Sequence, residues 1–327
     1  YVKAGPAGEA SFINELSHKQ ISNLDDSYRL LALFRYWNSI EYFFPYKDLM
    51  DENWDNILKE FIPIFLSSKS EDAYFLTTLQ LIGKIQDTHG VLPGHTTNYN
   101  RLYGSKYAPV IITFVEEQAV VTGYYKEQQG IETGLEVGDV VTSVNGQAVS
   151  DWIENHLKYA SASNYPPQLR ELAPNLLRSN DNTLLIEYIR EGQMEETEVT
   201  LYQKQQLGVD SHNIYNITKT PKFNMITDEI AYVYGAKLKS DDIKEWMEDI
   251  KDTKGLVIDL RSYPNDFYIY ELSRYLLKEE VDFALGYVPN LEAPGSFYPV
   301  TLTAGEQNER YYKGTVAILI NEVTQSA

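Results

Sequence analysis

The sequence predicts an α+β multidomain chain: an N-terminal helical domain, a small β module, and an α/β unit. Three observations carry this expectation. Apolar residues recur at spacings of three and four between Asp25 and Ile85, the period of a helix face. Short β-branched runs separated by turn dipeptides fill 107–203, the pattern of paired strands. From Ile230 onward, strand-like and helix-like segments alternate, which is the grammar of a largely parallel sheet.

Residues 1–24 have no sustained period, and Gly5, Pro6 and Gly8 mark them as a leader or linker. Asp25-Asp26-Ser27 then precedes Leu30, Leu33, Phe34, Trp37, Ile40 and Phe43. This is a helix with acids at its positive end, stopped by Pro45. A second helix is expected over 53–66, with Trp54, Ile57, Phe61 and Phe65 on one face; Pro63 should kink or shorten it. A third is expected over 71–85, with Phe75, Leu76, Leu79 and Ile82. These close a helical domain over 25–104, in which Trp37 and Trp54 serve packing. The third helix runs into the turn Gln86-Asp87-Thr88-His89-Gly90. His95 is a competing candidate nearby; His18, His156 and His212 have no local context that suggests chemistry.

The β module is expected over 105–203. Strands at 110–115 and 119–123 flank the acidic turn Glu116-Glu117. Asn145-Gly146 between β-rich runs is a strong hairpin signal, because both turn positions favour positive φ. A short helix is expected over 151–159, and a second hairpin over 184–201 about Glu191-Gly192. Residues 204–224 read as a linker. The α/β unit over 225–327 follows: strand 230–234, helix 241–250, strand 255–261, helix 267–277 and strand 316–320. The last strand is continuously apolar and reads as buried on both faces. It leads into the polar turn Asn321-Glu322-Val323-Thr324-Gln325, with Ser326 at the tip. Ligands of parallel sheets bind beyond the carboxyl ends of strands. Ser326 and the loop after Arg261 both stand there.

Composition narrows the function. There are 28 Lys and Arg against 47 Asp and Glu in 327 residues, a net charge of −19. Nucleic acid, which needs clustered cations, is an unfit partner. No cysteine occurs, which removes disulfides, thiolate metal sites and a Cys nucleophile but fixes no compartment. No apolar run is long enough for a membrane span. His89 and His95 have no carboxylate at helical spacing and no H-E-x-x-H is present, so a metal hydrolase is not supported. The chain begins at Tyr1 rather than Met and reads as processed or trimmed.

A turn His after helices, a β module and an α/β unit ending in a turn Ser together resemble the C-terminal processing protease and tricorn protease family of serine peptidases. Residues 134–149 resemble the middle of a PDZ domain, 255–264 the family's strand and loop, 318–327 its nucleophile strand, and Asp87-Thr88-His89 its D-x-H step. The resemblance implies a PDZ-like β domain and a ClpP/crotonase-like catalytic core truncated at its C-terminal side. It implies Ser326 as nucleophile and His89 as general base. Backbone N–H groups of Ala327 and, in the loop after Arg261, Asn265 would form the oxyanion hole. Family members carry a Gly where this chain has Asn265-Asp266. An acid that orients His89, or the Lys of a Ser-Lys dyad, would lie beyond Ala327, so both mechanisms stay open. The expected substrate is an extended polypeptide or a C-terminal tail, with no cofactor and no metal. Homo-oligomer formation stays open, and the expected location is exported: periplasm, envelope or outside the cell. The chain as it stands is expected to be inactive. The alternative readings are an inactive peptide-binding scaffold of the same fold and a ligand-binding relative of the crotonase group.

Overall fold

The structure, a computed structural model, describes residues 2–5, 10–13, 15–16, 25–209 and 220–325. Two compact units divide the chain: residues 1–208 with 287–299, and residues 209–286 with 300–327. Helix and sheet are mixed in the first, and a mainly parallel sheet organises the second.

The first unit opens with a small ribbon, β1 (Val2–Ala4) against β2 (Ala10–Phe12). Three helices follow, each started by a side chain that accepts otherwise unpaired N–H groups. Asp25 caps α1 (Asp26–Phe43), Asn53 caps α2 (Trp54–Ser67), and Ser70 caps α3 (Glu71–Gly83). Pro63 lies inside α2, which nevertheless runs on to Ser67. Pro63 forfeits one helix bond, while Phe61 and Phe65 on either side are each 1% exposed and hold the helix to its core. That core contains Leu33, Trp54, Ile57, Phe61, Phe65 and Leu81. Trp37 and Trp54 pack as expected, and each indole N–H donates to the other's carbonyl at 3.0 Å.

A fourth helix, α4 (Thr96–Tyr103), was not anticipated. It precedes β3 (Lys106–Tyr107), β4 (Val110–Val115), β5 (Gln118–Tyr124), α5 (Glu127–Ile131), β6 (Val140–Val144), β7 (Gln147–Ala148) and α6 (Val149–His156). Then come α7 (Tyr165–Leu176), β8 (Arg178–Ser179), β9 (Thr183–Arg190), β10 (Gln193–Thr200), β11 (Tyr202–Gln203) and α8 (Lys204–Leu207). The main sheet has the order β10-β9-β6-β5-β4, with β7 beside β6, and is antiparallel throughout. Its turns adopt the positive φ their dipeptides favour: Asn145 at 50° with Gly146 at 76°, and Glu191 at 48° with Gly192 at 80°. The pair Glu116 and Glu117 does the same without a glycine, at 49° and 65°. Val121, Ile186 and Val199 are fully buried beneath the sheet. Helix α7 carried no expectation, and it contains three prolines, Pro166, Pro167 and Pro174. Two of them occupy its first turn, where a missing N–H costs nothing.

In the second unit the four-stranded sheet has the order β12-β13-β14-β17. Here β12 (Phe223–Thr227) is antiparallel to β13 (Ile230–Tyr234). Strand β13, β14 (Gly255–Asp259) and β17 (Thr315–Leu319) are parallel. Helices α9 (Ser240–Ile250) and α10 (Ile269–Leu276) supply Ile243, Trp246, Met247 and Leu272 to a core with Ala231, Val233, Leu256 and Ile258. The ribbon β15 (Val281–Pro289) with β16 (Phe297–Ala304) fills a stretch that carried no expectation.

Two expectations change. Part of the stretch read as a linker is regular, since α8 occupies 204–207 and β12 occupies 223–227. Among the described residues strand β17 is not buried on both faces: it stands at the end of the sheet beside β14, with Ile318 at 56% exposure and Val316 at 37%. A continuous apolar run therefore marked the strand correctly and its burial wrongly, because burial depends on neighbours the period does not reveal.

Candidate active site

The helix-end turn is built by local bonds. After α3, Ile85 N–H donates to Ile82 O and Gln86 N–H to Gly83 O, and Gln86 takes a positive φ of 58°. The chain then reverses over Asp87–Gly90, with Gly90 N–H donating to Asp87 O at 2.8 Å. Asp87 uses its short carboxylate in the manner that makes Asp frequent in turns. Its Oδ1 accepts the backbone N–H of His89, two residues on, at 2.8 Å. The same oxygen lies 3.0 Å from His89 Nδ1.

This bond has a chemical consequence. A carboxylate on Nδ1 favours the tautomer whose proton sits on Nδ1, which leaves Nε2 with a free lone pair. The His89 side chain is 82% exposed, so Nε2 faces open solvent and can meet an incoming proton donor. A carboxylate thus meets the His89 ring from within the chain, two residues before it. The signal was available in the D-x-H spacing, which is the span of a side-chain-to-backbone turn. Tyr36 of α1 is held above its ordinary pKa by burial and by the charge of Asp87. His95, the competing histidine, starts α4 and packs its ring against Phe75 at 5.8 Å. His156 stacks on Trp152 at 4.2 Å, and burial lowers its pKa.

In the second unit β14 ends in Asp259-Leu260-Arg261. Asp259 is 3% exposed and accepts Arg261 Nε at 2.9 Å, Arg261 Nη2 at 2.8 Å and the Tyr232 hydroxyl at 2.8 Å. Burial raises its pKa, but these donors outweigh burial and hold it below the ordinary carboxylate range. The pair folds the Arg261 side chain back onto the end of its own strand. In the loop that follows, Asn265 donates its side-chain amide to Ala236 O. Asp266 accepts the N–H of Ser240, at the start of α9, at 2.7 Å.

The turn after β17 is fixed to the same loop. Leu260 N–H donates to Leu319 O at 2.9 Å, and the Thr324 hydroxyl donates to Leu260 O at 2.8 Å. Asn321 Oδ1 accepts Val323 N–H at 3.0 Å, and Thr324 N–H closes back on Asn321 O. The ends of β14 and β17 are thus tied side by side, and Thr324 is a tether that sequence reading missed. Ser326 and Ala327 lie outside the described residues. His89 belongs to the first unit; Asn265 and the 321–325 turn belong to the second. Among the described residues no group of three His, Cys, Asp or Glu side chains could hold a metal ion. No helix among them is long and apolar enough to cross a membrane.

No family model and no curated protein matches the chain. Solved structures do. Mature CPAF aligns with a TM-score of 0.62 at 11% identity, over 92% of this chain and 80% of its own, and so shares the fold. The photosystem II D1 C-terminal processing protease aligns over 91% of this chain and 76% of its own, at 14% identity and a TM-score of 0.40. A structure described as a peptidase, from Parabacteroides merdae, aligns over 91% and 68%, at 13% identity and 0.43.

Proposed function

We propose that this chain is a serine peptidase of the C-terminal processing and tricorn type, built from a helical domain, a PDZ-like β module and a ClpP/crotonase-like core. The observation that carries the reading is the Asp87–His89 pair, in which one carboxylate oxygen takes both the His89 N–H and the ring position Nδ1. It supplies two of the three parts of a nucleophile–base–acid relay within three residues.

In this mechanism Ser326 Oγ attacks the carbonyl carbon of an extended peptide while His89 Nε2 takes its proton. The carbonyl π electrons move to oxygen, where the N–H groups of Ala327 and Asn265 receive the negative charge. As the tetrahedral intermediate collapses, the C–N bond breaks and His89 returns its proton to the leaving amine. Water then repeats the sequence on the acyl-enzyme, and the acid product leaves with Ser326 restored. Asp87 holds the imidazole through Nδ1 and stabilises it while it carries the extra proton. Strand β4 is an edge of its sheet. It offers a place where a polypeptide tail adds as a further strand and is delivered for cleavage. Action on such tails fits an exported protein, which is the location we assign.

A fluorophosphonate probe on the intact protein tests the reading. Labelling that vanishes in Ser326→Ala and falls about 10²–10⁴-fold in His89→Ala supports it. Equal labelling of the Ser326→Ala variant would sink it. Peptide capture with no labelling under any condition would favour the inactive scaffold. The side-chain tie of Asn265 to Ala236 O, in a loop with no glycine, is the observation on that side.

A further inference from the structure

Ser161 follows α6 in the β module, 72 residues beyond His89 in sequence yet packed beneath its turn. It is 4% exposed. Its Oγ lies 2.7 Å from Asp87 O and 3.2 Å from Ile82 O. A hydroxyl has one proton, so the shorter contact is the donation and Ile82 O sits second. Asp87 O therefore accepts twice, from Gly90 N–H within the turn and from Ser161 beneath it. The backbone N–H of Ser161 is in turn held by the Glu171 carboxylate on α7.

The approach is close enough to dictate two glycines. A Cβ on Gly90 would stand 2.6 Å from Ser161 Oγ, and 3.0 Å from both Asp87 O and Ile82 Cγ2. The φ of Gly90 is not in the left-handed region, so space is the reason for glycine there. A Cβ on Gly83, at the end of α3, would stand 2.8 Å from Lys158 O. The end of α3 and the segment 158–161 thus touch backbone to backbone. The exposed His89 ring stands on a turn anchored from beneath by the buried Ser161 hydroxyl.

We infer that Ser161 is a positioning residue for the general base: by fixing the Asp87 carbonyl it sets the turn that aims Asp87 Oδ1 at His89 Nδ1. The inference rests on the reading of His89 as the base. Fixing the Asp87 peptide plane fixes where its side chain leaves the turn, and with it the ring of His89. Displacements of about 1 Å in such a pair cost up to about 100-fold in rate.

The test uses the intact protein with a fluorogenic casein substrate, the fluorophosphonate probe, and hydrogen exchange at the Gly90 amide. Ser161→Ala is expected to lower kcat about 10-fold or more with KM unchanged, and to speed Gly90 amide exchange. Gly90→Ala, which pushes on the same hydroxyl from the other side, is expected to do the same. The double variant should be no more than about twofold below Ser161→Ala, because the clashing oxygen is gone. Unchanged kcat and exchange in Ser161→Ala, with His89→Ala inactive, overturn the inference alone. Full activity in His89→Ala overturns the reading of the base and the inference with it. Additive losses in the double variant also overturn the inference.

Discussion

Replacing Glu171 by Gln is expected to make the first unit more stable, and only at neutral and alkaline pH. Glu171 sits on α7 with its side chain 27% exposed. Burial pushes its pKa from 4.5 up to about 7, against the opposing pull of Arg170, 3.6 Å away, and of the Ser161 N–H. Tyr99 and Tyr103 of α4 face it and carry no positive charge to offset the burial. The folded pKa lies above the unfolded one. Between the two values the folded chain keeps a proton that the unfolded chain has released, so stability falls as pH rises from about 4.5 to about 7 and is flat beyond. The shift corresponds to about 3 kcal/mol at its upper limit, and access of solvent to the exposed quarter of the side chain brings the expected effect to about 1–3 kcal/mol. Gln keeps an acceptor for Ser161 N–H and removes the charge. Urea unfolding at pH 5, 6, 7 and 8, followed by fluorescence of Trp37, Trp54 and Trp152, measures it. The variant should exceed the wild type at pH 8, and the gap should close towards pH 5. A difference that stays constant within about 0.5 kcal/mol across this range would refute the argument.

Three further outcomes are expected. Asp87→Asn keeps the shape of the turn but weakens the preference for the Nδ1–H tautomer, and should lower kcat about 10- to 100-fold with little change in KM. Arg190→Ala strips Asp139, 3% exposed, of a bidentate partner at 2.8 and 2.6 Å; thermal unfolding of the first unit should register a loss of about 3 kcal/mol. Gly146→Ala meets no atom within 4 Å but sits at φ 76°; backbone strain alone should cost about 1 kcal/mol, measured by urea midpoint, and Gly192→Ala should match it.

The legible parts of the sequence were those where a single local rule decides the outcome. The acids Asp25 and Asp26 ahead of α1, and the Asn145-Gly146 turn, act on atoms a few residues away, so the sequence contains the whole cause. Helix α7 carried no expectation, and proline suits the first turn of a helix as readily as it breaks the interior. The ribbon β15–β16 went unread although Val281, Phe283, Leu285 and Tyr287, and Tyr298, Val300 and Leu302, alternate with smaller or polar residues in the strand period. At the candidate site the D-x-H spacing was visible, but its hydrogen bonds required the turn geometry. Ser161 and Thr324 were illegible: each acts on a carbonyl more than 60 residues away in sequence, and a serine or threonine looks the same whether it faces water or anchors a distant turn.

The apolar run of β17 also bears on association between chains. Thr315-Val-Ala-Ile-Leu-Ile320 contains no charge, no proline and no glycine. Such a run, extended over Thr315–Leu319, meets the composition of a steric-zipper segment. Sheet edges are ordinarily guarded by a lysine, a proline or a bulge, and the register of β17 against β14 runs unbroken from Thr315 to Leu319. Among the described residues Ile318 and Ile320 are 56% and 67% exposed, so the composition and the exposure of this stretch coincide. Ile318→Lys would place a gatekeeper charge within it.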